Sequence, residues 1–345
     1  MIFLVSCETQ QEILGDRIEL FRREEMLTTN IPITINTKLE TYEDFYNNQD
    51  RIIENLALDE KDLFTDKQFS NQLVINGINY HINKNGTLSV NGKDVKKIVE
   101  NPKFVKMSYH KEVIYVISGY NNIIAVDIDG NKLWDKTIGA IPISNPVIDD
   151  TGIYFITNDN KTYCIALDGE VKWIHNNPNK NTKILGTASP VLYKDYVIVS
   201  YSTGNLHILD KKNSNNVFNI SLVNRTPFSF DLTDIDSTPI IINNVLIASA
   251  SGGNTIALDL RTFKILWQKQ ISTVNKILVN NNFIYVLDMD STFYILNLKG
   301  DLLYKKEFDT KYHSPLFANN LIYLMGDDNN FVKIDPITKD IQTHP

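Results

Sequence analysis

Residues 237–271, STPIIINNVLIASASGGNTIALDLRTFKILWQKQI, read as four short strands in succession. Residues 239–242 form an apolar first strand, and Asn243-Asn244 supply a tight turn, because asparagine tolerates positive φ. Residues 245–250 make a second strand, apolar enough to be buried on both faces. Ser251-Gly252-Gly253-Asn254 turns the chain again, residues 255–260 form a third strand, and after Arg261-Thr262 a fourth ends around Trp267 to Ile271. Such an up-and-down sheet leaves both apolar faces wet unless similar sheets flank it.

Similar sheets are encoded on either side. The third strand, turn and fourth strand recur as AVDIDGNKLW at 125–134, CIALDGEVKW at 164–173 and ILNLKGDLLY at 295–304. These frames superimpose without gaps, so that Gly130, Gly169 and Gly300 match, as do Trp134, Trp173 and Tyr304. Weaker copies end near Phe218 and Ile341. The upstream half recurs as a polar residue and proline before an apolar strand, at Asn145-Pro146, Ser189-Pro190, Thr238-Pro239 and Ser314-Pro315. Four strands repeated every few tens of residues predict an all-β fold, a β-propeller. Blades are expected at about 71–100, 104–139, 142–177, 187–222, 236–271, 273–308 and 312–345, the first lacking a terminal aromatic. The aromatics at repeat ends are expected to wedge between adjacent blades, each contributing about 2 kcal/mol through burial.

Composition narrows the function classes. Of 345 residues, 43% are hydrophobic and 22% charged, and a net charge of −7 argues against a nucleic-acid partner, which calls for a basic stripe. Two cysteines, Cys7 and Cys164, imply no disulfide framework, and six scattered histidines weaken a metal proposal. No transmembrane run follows the first few residues. Residues 1–7, MIFLVSC, read as the remnant of a lipoprotein signal, with Leu4-Val5-Ser6-Cys7 as the lipobox and Cys7 as the lipidated residue; a first strand with a buried thiol is the alternative. Residues 8–70 read as a tether and a segment without repeat signal, and 71–345 as the propeller. Glu8 after the cysteine implies, by resemblance to such lipoproteins, the outer membrane.

The spacing of repeat-end aromatics is uneven. Trp134 and Trp173 are 39 residues apart and Trp267 and Tyr304 37, but Trp173 to Phe218 takes 45 and Phe218 to Trp267 takes 49. The extra residues lie in two inter-blade segments, 176–186 and 222–236. Consecutive inter-blade loops emerge on the same rim, and clustered insertions in repeat proteins mark binding faces; tolerated loop lengthening is the alternative. Asp234 and Asp236 end the longer segment, and a spacing of two puts both carboxylates on one side of an extended chain, where they could meet a partner's cation or cap their own loop.

No catalytic constellation accompanies these features. The repeats resemble those of the pyrroloquinoline-quinone propeller enzymes, which implies a vicinal cysteine pair, a Glu/Asn/Asp calcium site and a tryptophan floor. Here the two cysteines are not vicinal, and all three tryptophans occupy repeat ends. Asp127/Asp129 and Asp288/Asp290 lack the spacing of a calcium loop and are expected to bond their own turns. No nucleophile elbow occurs, His81, His110, His207 and His313 fall in or beside strands without a sequence neighbour to work with, and Ser251 to Asn254 leads into a strand, which makes it a hairpin and not a phosphate cradle. No catalytic residue, metal or cofactor is assigned.

The lipobox, the propeller and the run TDIDSTPIIINNVLIASASGGNTIALDLRTFKILWQKQI together resemble the BamB family, lipoproteins of the outer-membrane β-barrel assembly machinery. GDRIEL at 15–20 is similar to the segment after the lipidated cysteine in some members. The resemblance implies eight blades, of which seven are detected here, with an eighth to be assembled from 31–70 or lost by shortening at the end. It implies a non-enzymatic scaffold anchored by its lipid to the periplasmic face of the outer membrane of a Gram-negative bacterium. Its partners would be the BamA barrel, the Bam complex and unfolded outer-membrane proteins. Family contacts run through a Leu-x-Leu-Arg stretch, falling here on Thr182, Lys183, Ile184 and Leu185, and through paired aspartates matching Asp234 and Asp236. Leu185 stands in place of the arginine and Thr182 in place of the first leucine. Phe263 occupies a turn position usually held by glycine. The rival readings are a degenerate quinoprotein-type or sugar-processing periplasmic enzyme and a propeller serving another partner.

Overall fold

The computed structural model describes residues 32–35, 38, 72–103, 105–118, 121–177, 188–223, 235–327 and 330–344. Over these residues the chain forms seven four-stranded antiparallel sheets at 72–97, 106–137, 147–176, 191–221, 240–269, 278–307 and 312–344. Each is built from four consecutive strands, in the expected positions. Among the described residues no helix is long and apolar enough to cross a membrane. The segment 31–70, from which an eighth blade was to be assembled, lies, apart from 32–35 and 38, outside the described residues.

The fifth blade shows why the sequence folds this way. Ile240–Ile242 meets Val245–Ser249 across Asn243 and Asn244, both with positive φ, 49° and 64°. Thr255–Asp259 follows and Lys264–Lys269 ends the blade. Innermost strands of successive blades lie side by side, Gln72–Ile75 next to Lys106–His110, and that next to Val147–Asp149. Outermost strands such as Lys93–Lys97 and Lys132–Thr137 are largely exposed. First strands at an axis and last strands at the periphery define a propeller. Because strand direction alternates, the inter-blade connections share one rim, here the upper, with the turns between second and third strands. The other turns lie on the lower rim.

The core is a stack of layers between blades. Ile114, Val116, Leu73 and Leu88 join blades one and two; Tyr115, Ile123, Ile153 and Phe155 join two and three; Ile198, Leu206, Leu246 and Ile256 join four and five. Ile33 inserts into the layer between blades six and seven beside Phe283 and Phe317, and Asn281 Nδ2 donates to Thr34 Oγ1 at 2.8 Å. A segment from near the start of the chain is thus fastened to the lower rim of the sixth blade.

Repeat-end tryptophans lock three of the layers, as expected. Trp134 Nε1 donates to Leu167 O at 2.8 Å, Trp173 Nε1 to Lys211 O at 2.8 Å and Trp267 Nε1 to Leu298 O at 2.9 Å, each acceptor in the next blade's last turn. Two of the matched glycines lie under these rings: a Cβ on Gly169 would stand 3.1 Å from Trp134, and one on Gly300 2.7 Å from Trp267. In six blades the register shifts one residue beyond the aromatic position, a β-bulge recurring at the same place. In the first blade Lys96 holds that position, facing Leu88, and these two side chains cover Gly130. The seventh corrects the sequence frame: Gln342, not Ile341, pairs with Lys333 where other blades carry the aromatic.

Candidate functional site

The two lengthened connections leave and re-enter the propeller on either side of blade four, on the upper rim. Residues 178–187 and 224–234 lie outside the described residues, and with them Thr182, Ile184, Leu185 and Asp234; so does Cys7. Their anchorages are described. Asn177, 6% exposed, donates from Nδ2 to Thr203 Oγ1 at 3.1 Å, tying the start of the first connection to a turn of blade four. Its end is fixed to the second, because Ser189 N donates to Thr238 Oγ1 at 2.9 Å. The second begins at Leu222-Val223, where Asn254 N donates to Leu222 O at 2.8 Å and Val223 bridges to Gly253. A Cβ on Gly253 would sit 2.4 Å from that carbonyl, which explains a glycine there. The turn at 251–254 therefore holds protein backbone, in keeping with a hairpin.

Asp236 returns the second connection to the core. Both of its carboxylate oxygens are buried without a hydrogen-bond partner, and burial pushes its pKa above the usual carboxylate value. Ser237 Oγ beside it, Ser200 Oγ at the upper end of blade four's second strand and Asn160 Nδ2 in the upper turn of blade three are also buried and unpartnered. Five of the eight such atoms among the described residues thus belong to the upper rim of blades three to five. Buried polar groups ordinarily find a partner, so this rim has unmet hydrogen-bonding capacity that water or another molecule would fill.

The other acids bond their own turns, as expected. Asp127 Oδ1 accepts from Asp129 N at 3.0 Å and Asn131 N at 2.7 Å, and Asp288 Oδ1 from Asp290 N at 2.9 Å and Thr292 N at 2.7 Å. Cys164 is fully buried and burial pushes its thiol up to about 11, which makes it a packing residue. Among the described residues no three His, Cys, Asp or Glu side chains form a metal-binding group. The histidines find partners in space that the sequence does not set beside them. His110 Nε2 lies 2.8 Å from Asp150, and His175 Nε2 lies 3.4 Å from His207 Nδ1 across the junction of blades three and four. No sequence signal pairs those two, because one is on an outermost strand and the other on a third strand. A third contact the sequence does not reveal is the ion pair of Lys211 Nζ with Asp149 Oδ2 at 2.7 Å, across the same junction.

Comparison with known proteins sets this rim in context. Residues 99–301 match the family model described as outer membrane protein assembly factor BamB. The protein of that name from Yersinia pestis is 25% identical over 234 residues, 66% of this chain and 57% of the relative. The chain spans just over half the length of the curated relatives it matches first. Among solved structures, BamB from Moraxella catarrhalis aligns with a TM-score of 0.70 at 16% identity, covering 80% of this chain and 87% of that one. A europium-containing methanol dehydrogenase aligns at 0.61 and 11% identity, covering 88% and 85%. At such identities these likenesses are of fold.

Proposed function

Because the chain belongs to the family of the outer membrane protein assembly factor BamB, we propose that it is a non-enzymatic scaffold of outer-membrane protein assembly that receives its partner on the upper rim of blades three to five. The observation that carries this reading is Asp236, a buried carboxylate with no partner of its own, at the re-entry of one of two adjacent lengthened connections. A buried unpaired carboxylate is costly, and a partner's arginine or lysine offsets that cost while gaining a charge-assisted bond. The partner would be the periplasmic portion of a BamA-like barrel protein, with Asp234, Thr182, Ile184 and Leu185 as further contacts. Loss of the arginine at position 185 shifts the weight of recognition to the acidic connection. Lipidation at Cys7 would hold the scaffold at the periplasmic face of the outer membrane. An enzymatic reading draws no support from the residues, since all three tryptophans serve blade junctions and Cys164 is sealed in the core.

Photocrosslinking tests this directly. A photoreactive residue at Ile184 or Leu232 should capture the periplasmic domains of a BamA-like protein from membranes, and one at Glu112 on the lower rim should not. Capture from Glu112 alone, or from none of the three, would overturn the assignment of the rim.

A further inference from the structure

Beyond that reading, we propose that His175 and His207 form a two-imidazole site for a late first-row divalent metal ion, such as Zn²⁺ or Ni²⁺, bridging blades three and four. His175 lies on the outermost strand of blade three, Val171–Asn176, and His207 on the third strand of blade four, Asn205–Asp210. Their facing nitrogens, His175 Nε2 and His207 Nδ1, are 3.4 Å apart. That separation is long for an N–H···N hydrogen bond, which prefers about 2.9–3.0 Å. It suits two ligands of one ion, since nitrogens bound tetrahedrally at about 2.0–2.1 Å lie about 3.3–3.4 Å from each other.

The surroundings favour a ligand pair. The Asn216 side-chain amide is 3.5 Å from the same His207 Nδ1, and a half-turn of that amide presents its carbonyl oxygen as a third donor. Tyr201, buried and held by its hydroxyl 2.6 Å from Thr162 Oγ1, packs edge-on to His207 with centroids 5.1 Å apart and backs the site with an apolar wall. His175 also bonds the backbone of Ser214, the kind of outer contact that orients a ligating ring. The half-buried setting leaves water to complete the coordination, and imidazole donors select zinc, nickel or copper over calcium or magnesium.

The test uses the full chain without a polyhistidine tag, freed of metal and titrated calorimetrically with Zn²⁺ and Ni²⁺; Co²⁺ is added separately to record tetrahedral ligand-field bands. One ion should bind per chain. His175→Gln and His207→Gln should each weaken binding by more than the tenfold to roughly hundredfold that loss of an outer-shell partner costs, while His81→Gln leaves it unchanged. Asn216→Asp, which supplies a charged oxygen, should tighten binding at least tenfold. Absence of one-to-one binding, or equal affinity in wild type and both histidine variants, would reduce the pair to a packing contact and overturn the proposal. Should a histidine variant fail to fold, Asn216→Asp decides: unchanged affinity overturns the site.

Discussion

Phe218 stacks on Phe263, ring centroids 5.8 Å apart and planes 16° from parallel, at the junction where other blades set a tryptophan over a glycine. The turn carrying Phe263 is one residue longer than those carrying Gly169 and Gly300, and Phe263 adopts φ of 53°. Backbone strain at a non-glycine residue in that region is tolerated because the ring is held by Phe218 and, edge-on, by Tyr196 at 5.8 Å. Phe218→Ala and Phe263→Ala should each destabilise by about 2 kcal/mol, less than a fully buried phenylalanine loses. In a double-mutant cycle by urea unfolding they should couple by about 0.5–1.5 kcal/mol. Strict additivity would show that the stack contributes nothing beyond burial.

Gly300 tests the next junction, between blades five and six, from the glycine's side. Gly77 and Gly300 both have positive φ, 76° and 83°, but a Cβ on Gly77 meets nothing within 4 Å, whereas one on Gly300 falls 2.7 Å from Trp267 Cγ. Gly77→Ala should therefore cost about 1 kcal/mol, for backbone conformation alone. Gly300→Ala should cost about 2 kcal/mol more, with a change in tryptophan fluorescence as Trp267 is displaced. Equal losses for the two would mean that the indole gives way freely.

Lys211 and Asp149 form a largely buried pair, their side chains 7% and 16% exposed, and Lys211 Nζ also donates to Lys194 O at 2.6 Å. Burial alone would raise the Asp149 pKa, yet the hydrogen bonds from Lys211 and Thr151 outweigh it and hold it below the usual value. A carboxylate lowered in the folded state adds stability that is present above the unfolded pKa of roughly 3.9 and is lost as pH falls through the folded value. Lys211→Met should cost about 3 kcal/mol, by stranding Asp149. Asp149→Asn should flatten the loss of stability below about pH 4, read as the urea midpoint against pH. A wild-type midpoint that holds steady through that range would refute the assignment.

Asp236 has the opposite sign. Its carboxyl is raised by burial, so the folded state holds the proton more tightly, and this group's contribution to stability falls as pH rises from roughly 3.9 through the folded value. Asp236→Asn should raise the melting temperature of the free chain at pH 7 and weaken binding to the BamA-like periplasmic domains. A variant that binds as before would remove Asp236 from the contact face.

Blade boundaries were legible because they rest on local chemistry: paired asparagines at tight turns, alternation along strands, and a glycine and aromatic in fixed frame. The frame even carried a packing rule, since Gly169 and Gly300 each lie beneath the preceding blade's tryptophan. What stayed hidden joins residues across blades without a repeated signature. Asp149 and Lys211, His175 and His207, and Phe218 and Phe263 each meet because two sheets face one another, a relation that depends on twist and register. Lys96 in the aromatic position of the first blade was legible only as an absence. Of the proposed contact residues, Asp236 alone lies among the described residues, and its exceptional character, burial without a partner, is not encoded in the letters around it.

The fastening of Ile33 and Thr34 to the sixth and seventh blades bears on how the protein is made. Each sheet is a run of consecutive strands and can pair without waiting for distant parts of the chain. Ile33, in contrast, finds Phe283 and Phe317 only after some 280 further residues have been added. Ile33 and Thr34 are thus seated only after blades six and seven have formed, which makes this layer a late step in assembly and not a nucleus for it.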